Sequence, residues 1–244
     1  MTKSQVNRLG ERLRKGSGSP TEQQLTDLQA VRGTYDEALT AAQDLLRSAG
    51  VEATGRLKTT NTIIEKLQRD RTRLSEMQDI AGLRVVQEMS LGEQNALVKR
   101  LAALFERTKR TDRRVRPSYG YRAVHVVARI EGKPVEIQVR TRLQDVWAQT
   151  MEKLADQLGR EIRYGGGDKK PGGPLDLLTS LSESLAGNEE MLERIARMGR
   201  QPRPRSLASG QREAARSREQ LHSLERQVKA SCDRICGILE ALRS

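Results

Sequence analysis

Two carboxylates of the chain lie where catalysis or metal binding could use them. Asp79 is the first residue of the segment DIAGLRVVQ and directly precedes its apolar run, which has the length of a strand. Glu136 lies inside the valine- and isoleucine-rich run KPVEIQVRT. A carboxylate in an apolar strand is costly to bury unless it is paired or binds a cation. If the two runs are neighbouring strands, the acids would form a hard-oxygen site suited to Mg²⁺ and nucleotide phosphates.

Strand alternation predicts which side chains accompany Glu136. Glu136, Gln138 and Arg140 fall on one face of the run, and the valines and isoleucine between them fall on the other. The polar face would then present an acid, an amide and a guanidinium in a row. A solvent-exposed pair of Glu136 with Arg140 explains the same spacing, and the spacing alone supports both interpretations equally.

A basic segment, RLKTTNTIIEKLQRDR, is the second candidate. Arg56 and Lys58 precede a predicted helix whose first threonines can cap its start, and Lys66 lies one turn further on. Free backbone amides and cationic side chains at such a helix start suit phosphate oxygens. A salt-bridged solvent face is the alternative, and the segment taken alone favours it.

The loop PSYGYR is the third candidate. Gly120 permits an unusual backbone conformation and close approach of a ligand. An exposed aromatic ring beside arginines can stack on a nucleotide base. His125, in the strand that follows, could contact the same ligand, although core packing of Tyr119 and His125 is the alternative.

The elements that position these residues follow from hydrophobic periodicity. Helices are predicted over 21–48, with an interruption at Gly33, and over 60–74, 91–108, 143–158, 175–196 and 211–243. Strands are predicted at AGLRVVQ, YRAVHVVARI and KPVEIQVRT, the last two forming a hairpin through the three-residue link EGK. The order predicts an α/β (α+β) fold, a small mixed sheet flanked by helices with a helical C-terminal extension.

Charge and composition restrict the partners. The net charge of +12 and the pI near 10.1 favour polyanions such as nucleotides or nucleic acid. No run approaches the ~18 apolar residues of a membrane helix, and the basic start lacks the apolar centre of a secretory signal. A cytoplasmic protein is therefore expected. Cys232 and Cys236 lie four apart in a predicted helix and are expected to be small packing residues.

Four segments, RLKTTNTIIEKL, DIAGLRVV, GYRAVH and VEIQVRT, resemble in order and spacing the synthetase domain of the RelA/SpoT family. That family makes the alarmones called (p)ppGpp. The resemblance covers about residues 50–165 and implies a nucleotidyltransferase-like fold. The expected organisation is a flexible basic N-terminus over 1–20, a synthetase domain over 21–165, Gly/Pro-rich linkers around a helix over 166–210, and an amphipathic helix over 211–244.

The resemblance also implies a reaction and a set of roles. The enzyme would be a pyrophosphokinase that moves the β,γ-diphosphate of ATP onto the ribose 3′-hydroxyl of GDP or GTP. Asp79 and Glu136 would hold Mg²⁺, and Glu136 would also help to deprotonate the attacking hydroxyl. The ATP-binding residues would be Arg56, Lys58, Lys66 and Arg84, and the acceptor residues would be Tyr121, which stacks on guanine, together with His125, Gln138 and Arg140.

Two departures concern the acceptor half. Tyr119 stands where family members often have asparagine, and Ala123 stands where they often have serine. The alternatives are a toxin-type relative that pyrophosphorylates tRNA 3′ ends or adenine nucleotides, and a catalytically silent nucleotide- or RNA-binding protein. The chain's two histidines, neither followed by aspartate, indicate no alarmone hydrolase. The resemblance to stand-alone synthetases suggests a homo-oligomer formed through the 211–243 stripe, although packing on the chain itself explains the stripe as well.

Overall fold

The computed structural model describes residues 1–16, 18–166 and 174–199 and isolated positions between 219 and 233. The helices in these ranges are α1 (Lys3–Lys15), α2 (Glu22–Gly33), α3 (Asp36–Ser48), α4 (Thr60–Asp70), α5 (Leu91–Ala102), α6 (Arg142–Leu158) and α7 (Pro174–Gly199). The strands are β1 (Thr54–Leu57), β2 (Ala81–Gln87), β3 (Thr108–Asp112), β4 (Val124–Ile130) and β5 (Lys133–Thr141). Short 3₁₀ helices cover Leu74–Glu76 and Arg160–Tyr164.

The five strands form one mixed sheet in the order β1-β2-β5-β4-β3. β1 runs antiparallel to β2, with Arg56 opposite Gly82 and Thr54 opposite Arg84. β4 and β5 form the predicted hairpin, and its two turn residues, Glu131 and Gly132, both have positive φ. A mixed sheet flanked by helices, with a helical part after it, confirms the predicted fold class.

One face of the sheet forms the core. Its apolar side chains, contributed by three adjacent strands, are all 0% exposed: Ala81, Leu83, Val85, Val124, Val126, Ala128, Val135, Ile137 and Val139. Full burial of one such aliphatic side chain is worth about 1.5–3 kcal/mol. Because a one-residue slip would turn this whole set outward, burial fixes the strand register and directs the intervening polar residues to the opposite face.

The chain divides into two compact units. The first comprises Met1–Val85, Val98–Thr111 and His125–Val139, and it contains α1 to α4 and most of the sheet. The second comprises Val86–Leu97, Asp112–Val124 and Arg140–Ser244, and it contains the loop PSYGYR, α6 and α7. Each unit is assembled from segments that are distant in the sequence.

The N-terminal segment corrects the expectation of a flexible lead-in over residues 1–20. Lys3–Lys15 is a helix that begins with a capping box between Thr2 and Gln5. Leu9 and Leu13 are buried, and a Cβ added to Gly10 would lie 2.7 Å from Leu74 Cβ, so α1 packs closely on that 3₁₀ turn. The spacing of Leu9 and Leu13 is the feature of the sequence that indicates this helix.

Strands β1 and β3 were not predicted from the sequence. Their sequences, TGRL and TKRTD, are short and polar, and both strands lie at edges of the sheet, where solvent replaces one neighbour. The helix predicted over 91–108 ends at Ala102 because β3 follows. The predicted helix over 211–243, with Cys232 and Cys236, lies outside the described residues apart from isolated positions.

The elements around the site otherwise agree with the predictions. The helical pattern over 21–48 breaks at Gly33 into α2 and α3, and AGLRVVQ is β2. In the described ranges no helix is both long and apolar enough to cross a membrane.

Candidate active site

The polar face of the sheet in the first unit carries most of the predicted site residues. Arg56 and Gly82 are cross-strand partners and share a face with Arg84, two residues further along β2. The hairpin contributes His125, Glu136 and Gln138, all half-buried, while their strand neighbours point into the core. The alternation predicted around Glu136 is therefore confirmed for Glu136 and Gln138.

Glu136 is held by two side chains of this polar face. Its Oε1 lies 2.9 Å from His125 Nδ1, and its Oε2 accepts a hydrogen bond of 2.8 Å from Gln138 Nε2. The Glu136 side chain is only 15% exposed. Because an ionised carboxylate can only accept hydrogen bonds, His125 must carry its proton on Nδ1 to bond this oxygen.

These partners keep Glu136 ionised. Burial raises the pKa of Glu136, but the hydrogen bond and charge of His125, the hydrogen bond from Gln138 and the charge of Lys66 outweigh burial and lower it to about 2. A carboxylate with so low a pKa is charged at neutral pH and is a weak base. This electrostatic environment favours cation binding by Glu136 over proton abstraction.

Asp79 is held by two lysines of the basic segment. Lys66 Nζ donates to Asp79 Oδ2 at 2.7 Å, and Lys58 Nζ lies 3.5 Å from the same oxygen. Both lysines have local anchors: Lys58 N donates to Ile80 O at 2.8 Å, and the Thr59 hydroxyl caps α4 on Thr62 N, which sets the position of Lys66. The segment is thus more than a solvated face.

Lys66 connects the two acids electrostatically. It contacts Asp79 directly, and its positive charge contributes to the low pKa of Glu136. Asp79, Glu136 and Lys66 therefore belong to one charge cluster in the first unit. Sequence spacing supplied the members of this cluster but not the direct bond between Lys66 and Asp79.

The cluster fits the Mg²⁺ ion that the resemblance implies. Asp79 Oδ1 is buried without a hydrogen-bond partner, although Oδ2 is held by the lysines. A buried carboxylate oxygen without a partner is costly, and a divalent cation would satisfy it. No group of three or more His, Cys, Asp or Glu suited to a metal occurs among the described residues, but Mg²⁺ commonly uses only one or two protein carboxylates plus substrate phosphates.

In the second unit the loop PSYGYR forms a tight turn. Ser118 and Tyr121 exchange both backbone hydrogen bonds, at 3.2 and 3.0 Å, and the two residues between them have positive φ, 53° at Tyr119 and 85° at Gly120. Two positive φ values are the signature of a type I′ turn. Gly120 also lies so close to the Trp147 ring that a Cβ there would be 2.7 Å from Cζ2, hence only glycine fits.

Tyr121 and Arg140 form a second charged group in this unit. Arg140 Nη2 donates to the Tyr121 hydroxyl at 3.1 Å, and its guanidinium carbon lies 5.1 Å from the centroid of that ring. Arg140 Nη1 also pairs with Asp145 at 2.9 Å. Arg140 is only 3% exposed, so the alternative of a solvent-exposed pair with Glu136 is wrong.

Helix α7 supports this loop. Ser182 Oγ donates to Gly120 O and accepts from Arg122 Nε at 3.1 Å, while Trp147 Nε1 donates to Leu178 O at 3.0 Å. Tyr121 packs against the buried apolar cluster that α6 and α7 share. The sequence predicted a helix over 175–196 between linkers but gave it no role at the site.

A buried acid of α7 contacts the end of the VEIQVRT segment. Glu189 accepts hydrogen bonds from Thr141 Oγ1 and from Gln144 Nε2, the two residues that cap α6. Burial raises the pKa of Glu189 despite these bonds and the nearby arginines 114 and 122. α7 is therefore anchored at the start of α6 as well as at the PSYGYR turn.

The four residues predicted to bind the acceptor fall into two pairs in the structure. His125 and Gln138 bond to Glu136 in the first unit, whereas Tyr121 and Arg140 bond to each other in the second. Gly82 is a member of the polar face that sequence reasoning missed. Its only signal was a glycine inside an otherwise apolar strand.

Comparison with known proteins relates part of this chain to a family. Residues 55–155 match the region found in RelA/SpoT proteins. This region contains both acids, the four expected ATP-binding residues and the four expected acceptor residues, and it lies within the 21–165 segment predicted to be the synthetase domain.

Relatives and a solved structure are similar to larger parts of the chain. Uncharacterized proteins of Mycobacterium tuberculosis and Mycobacterium bovis are each 37% identical over 174 residues, which cover 68% of this chain. The match spans only 62% of the length of these relatives. The small alarmone synthetase 1 from Bacillus subtilis, bound to its product pppGpp, superposes with a TM-score of 0.50 at 23% identity, covering 72% of this chain and 95% of that one. It shares the fold.

Proposed function

We propose that this protein is a Mg²⁺-dependent pyrophosphokinase that transfers the β,γ-diphosphate of ATP to the 3′-hydroxyl of GDP or GTP. The RelA/SpoT region supports synthetase-type chemistry. The observation that carries the proposal is the charge cluster of Asp79, Lys66 and Glu136, with its buried carboxylate oxygen that has no partner. Two carboxylates held beside one lysine suit a site that binds a metal ion and phosphates together.

The first unit supplies the donor residues in this proposal. Arg56 and Arg84 project from the polar face of β1 and β2, and Lys58 and Lys66 flank Asp79. Four cations around two acids suit the triphosphate of ATP, whose equatorial oxygens gain charge during transfer. The lysines now paired with Asp79 would share their charge with phosphate once a cation satisfies the carboxylate.

The reaction forms one bond and breaks another. The acceptor's 3′-oxygen bonds to the β-phosphorus of ATP, the bond from that phosphorus to the α,β-bridging oxygen breaks, and AMP leaves with the electron pair. Bound Mg²⁺ would neutralise charge on the transferred phosphates. Asp79 and Glu136 would hold it. Because a carboxylate with a pKa of about 2 is a weak base, Glu136 would act as a ligand of the ion, and the 3′-hydroxyl proton would leave to solvent.

The second unit supplies the ring expected to contact the acceptor base. Tyr121 has its hydroxyl fixed by Arg140 and its ring packed on the α6–α7 cluster, so the position of the ring is set before any ligand binds. A prepositioned ring loses little entropy when a base stacks on it. The resemblance assigns guanine to this contact.

One experiment tests the proposal against its alternatives. Purified protein, Mg²⁺ and ATP labelled in the β-phosphate are offered GDP, GTP, adenine nucleotides and bulk tRNA in parallel. Label on the 3′ position of a guanine nucleotide is expected. Label only on tRNA or adenine nucleotides would replace the acceptor in the proposal, and no transfer to any acceptor would favour a silent binding protein.

Two variants and one control locate the chemistry. Asp79→Ala and Glu136→Gln are each expected to lower transfer roughly a hundredfold or more, since each removes charge stabilisation at the reacting phosphates. Glu131→Gln removes an exposed carboxylate from the turn of the same hairpin and should retain wild-type transfer. Equal loss in all three variants would contradict a specific role for the two acids.

A further inference from the structure

Tyr119 combines three properties that packing does not explain. It occupies the first central position of the Ser118–Tyr121 turn with φ of 53°, a left-handed conformation that is strained for an aromatic residue. Type I′ turns prefer asparagine, aspartate or glycine there. Its side chain nevertheless remains 48% exposed, in a chain with only 2% aromatic residues.

The ring has a defined position despite its exposure. A Cβ added to Gly165 would collide with the Tyr119 ring, so the ring lies directly on this glycine, which itself has a positive φ of 73°. One side of the ring is thus supported by protein backbone. A supported, half-exposed ring is the form of aromatic surface on which bases stack.

The neighbouring Tyr121 offers less accessible surface. Its ring packs against the α6–α7 cluster and lies 6.5 Å from the Trp147 ring, and Arg140 lies over it at 5.1 Å. Tyr121 is half-buried, whereas Tyr119 is exposed. Of the two rings in the loop, Tyr119 therefore presents the larger free area to a ligand.

Cations suited to a nucleotide's phosphates precede this ring in the chain. Arg113 and Arg116 lie in the segment that leads into the turn, and Arg116 is exposed. Neither forms an ion pair with a carboxylate of the described residues. An aromatic surface next to arginines in the same loop is the combination that binds a base together with its phosphates.

We propose that Tyr119 is a specificity-determining residue of the acceptor site and provides a second ring, in addition to Tyr121, on which the purine base of the acceptor nucleotide stacks. This inference rests on the proposed function for the identity of the acceptor. The strain at Tyr119 is retained because asparagine or glycine would suit the turn but would remove the ring.

Three substitutions of Tyr119 distinguish the effect of the ring from the effect of the turn conformation. Tyr119→Asn and Tyr119→Gly both suit a type I′ turn and remove the ring, and Tyr119→Phe retains the ring and the strain. Because the first two relieve strain, they should fold, with melting temperatures equal to the wild type or higher by about 2–4 °C. Asparagine and glycine together also distinguish loss of the ring from any new bond made by an amide.

The primary measurement is binding of labelled GDP to the full chain by equilibrium dialysis, with ATP binding as the internal reference. The Asn and Gly variants are expected to weaken GDP binding roughly tenfold, since stacking on one ring contributes about that much or more. The Phe variant should bind GDP as the wild type does, and ATP binding should be unchanged in all three variants. The KM for the acceptor in the transfer assay should follow the same order.

The outcomes distinguish this inference from the proposed function. Wild-type GDP affinity in the Asn and Gly variants would overturn the role of Tyr119, and equal weakening in the Phe variant would assign the effect to the hydroxyl and overturn stacking. If the GDP affinities of the wild type and the three variants follow the expected order but the wild type transfers no diphosphate, the inference stands and the proposed activity fails. If the wild type binds no GDP, both fail.

Discussion

At the scale of single residues, the feature with most chemical consequence is the environment of Glu136. A half-buried carboxylate would ordinarily become harder to ionise, but a histidine, a glutamine and a lysine reverse that tendency. The same three groups therefore stabilise the folded state whenever Glu136 is charged. This stabilisation depends on pH because it disappears when the carboxylate takes up a proton.

The sign of the pH dependence follows from the direction of the pKa shift. The pKa of Glu136 is about 2 in the folded protein and near 4.5 in the unfolded chain, so its contribution to stability is present above pH 4.5 and is lost as the pH falls towards 2. We expect Glu136→Gln to lower the free energy of unfolding at pH 7 by on the order of 3 kcal/mol, and by much less at pH 3.

Urea unfolding of both proteins in EDTA, at pH 7 and at pH 3, measures this difference. Comparing the two proteins at each pH cancels the other titrating groups, and protonated Glu136 resembles glutamine in shape and charge. If the difference in the free energy of unfolding between wild type and variant is as large at pH 3 as at pH 7, the low pKa of Glu136 is contradicted.

The partner of Glu136 illustrates what the sequence could not supply at this scale. Alternation along β5 correctly separated polar from apolar side chains. The sequence suggested a three-residue link, whereas the hairpin turns at Glu131 and Gly132 alone. A two-residue turn brings His125 to the face of Glu136 and Gln138, and a three-residue link would send it to the opposite face. One residue of loop length therefore decides the contact.

At the scale of elements, β2 contains a glycine that folding does not require. Gly82 does not have positive φ, and a Cβ there would meet nothing closer than Glu136 O at 3.8 Å and Arg56 O at 3.9 Å. The space above Gly82 lies on the polar face between the strands that carry these two residues. Glycine inside a strand often marks close approach of a ligand.

We therefore expect Gly82→Val to reduce diphosphate transfer at least about tenfold while leaving the protein as stable as the wild type or more so, since valine favours strands and glycine costs roughly 0.5–1 kcal/mol there. The transfer assay and urea unfolding, performed on the same preparation, check both statements. Full activity in the folded variant would show that no substrate group uses this space.

Helix α7 and the PSYGYR turn are held together by hydrogen bonds. Ser182 is 2% exposed and bonds both Gly120 O and Arg122. Removing its hydroxyl takes this partner from the buried Gly120 O and from the partly buried Arg122, so Ser182→Ala should lower the free energy of unfolding by about 1–3 kcal/mol. Because the turn carries Tyr121, the fluorescence of Trp147, the chain's one tryptophan, should also change.

A matched control lies on the same helix. Ser184 is exposed and its hydroxyl bonds only Ser180 O of α7 itself. Ser184→Ala removes the same atom and should leave both the urea midpoint and the fluorescence spectrum unaltered. Equal effects of the two substitutions would mean that Ser182 acts through helix propensity and not through the turn.

Elements with a strong apolar period were predictable, and those without one were not. The buried strand AGLRVVQ and the helix α6 were found because burial dictates their sequences. The edge strands β1 and β3 bury little, so nothing in their composition separates them from loops. In α1 the apolar period was present, but its leucines lie among five basic residues.

At the scale of the whole molecule, the sequence could not reveal how segments combine. Each compact unit is built from three stretches of chain, whereas a prediction from sequence cuts the chain at contiguous boundaries. The acids and lysines fall in one unit and the Tyr121–Arg140 pair in the other, although all lie between residues 56 and 140. Long-range strand pairing decides this division, and pairing leaves little trace in a single sequence.

The last prediction concerns assembly of the full chain. Leu221, Leu224, Val228, Cys232, Ile235, Leu239 and Leu242 recur every three or four residues in the sequence 211–243, a spacing that forms one apolar stripe on a helix. The net charge of +12 opposes self-association, so only a continuous apolar contact would hold copies together. We expect the double substitution Leu224→Glu with Val228→Glu, or deletion of 205–244, to reduce the number of chains per particle measured by light scattering. Arg226→Glu changes the charge beside the stripe and should leave that number unchanged. An unchanged mass in the leucine–valine variant would assign the stripe to packing within the chain.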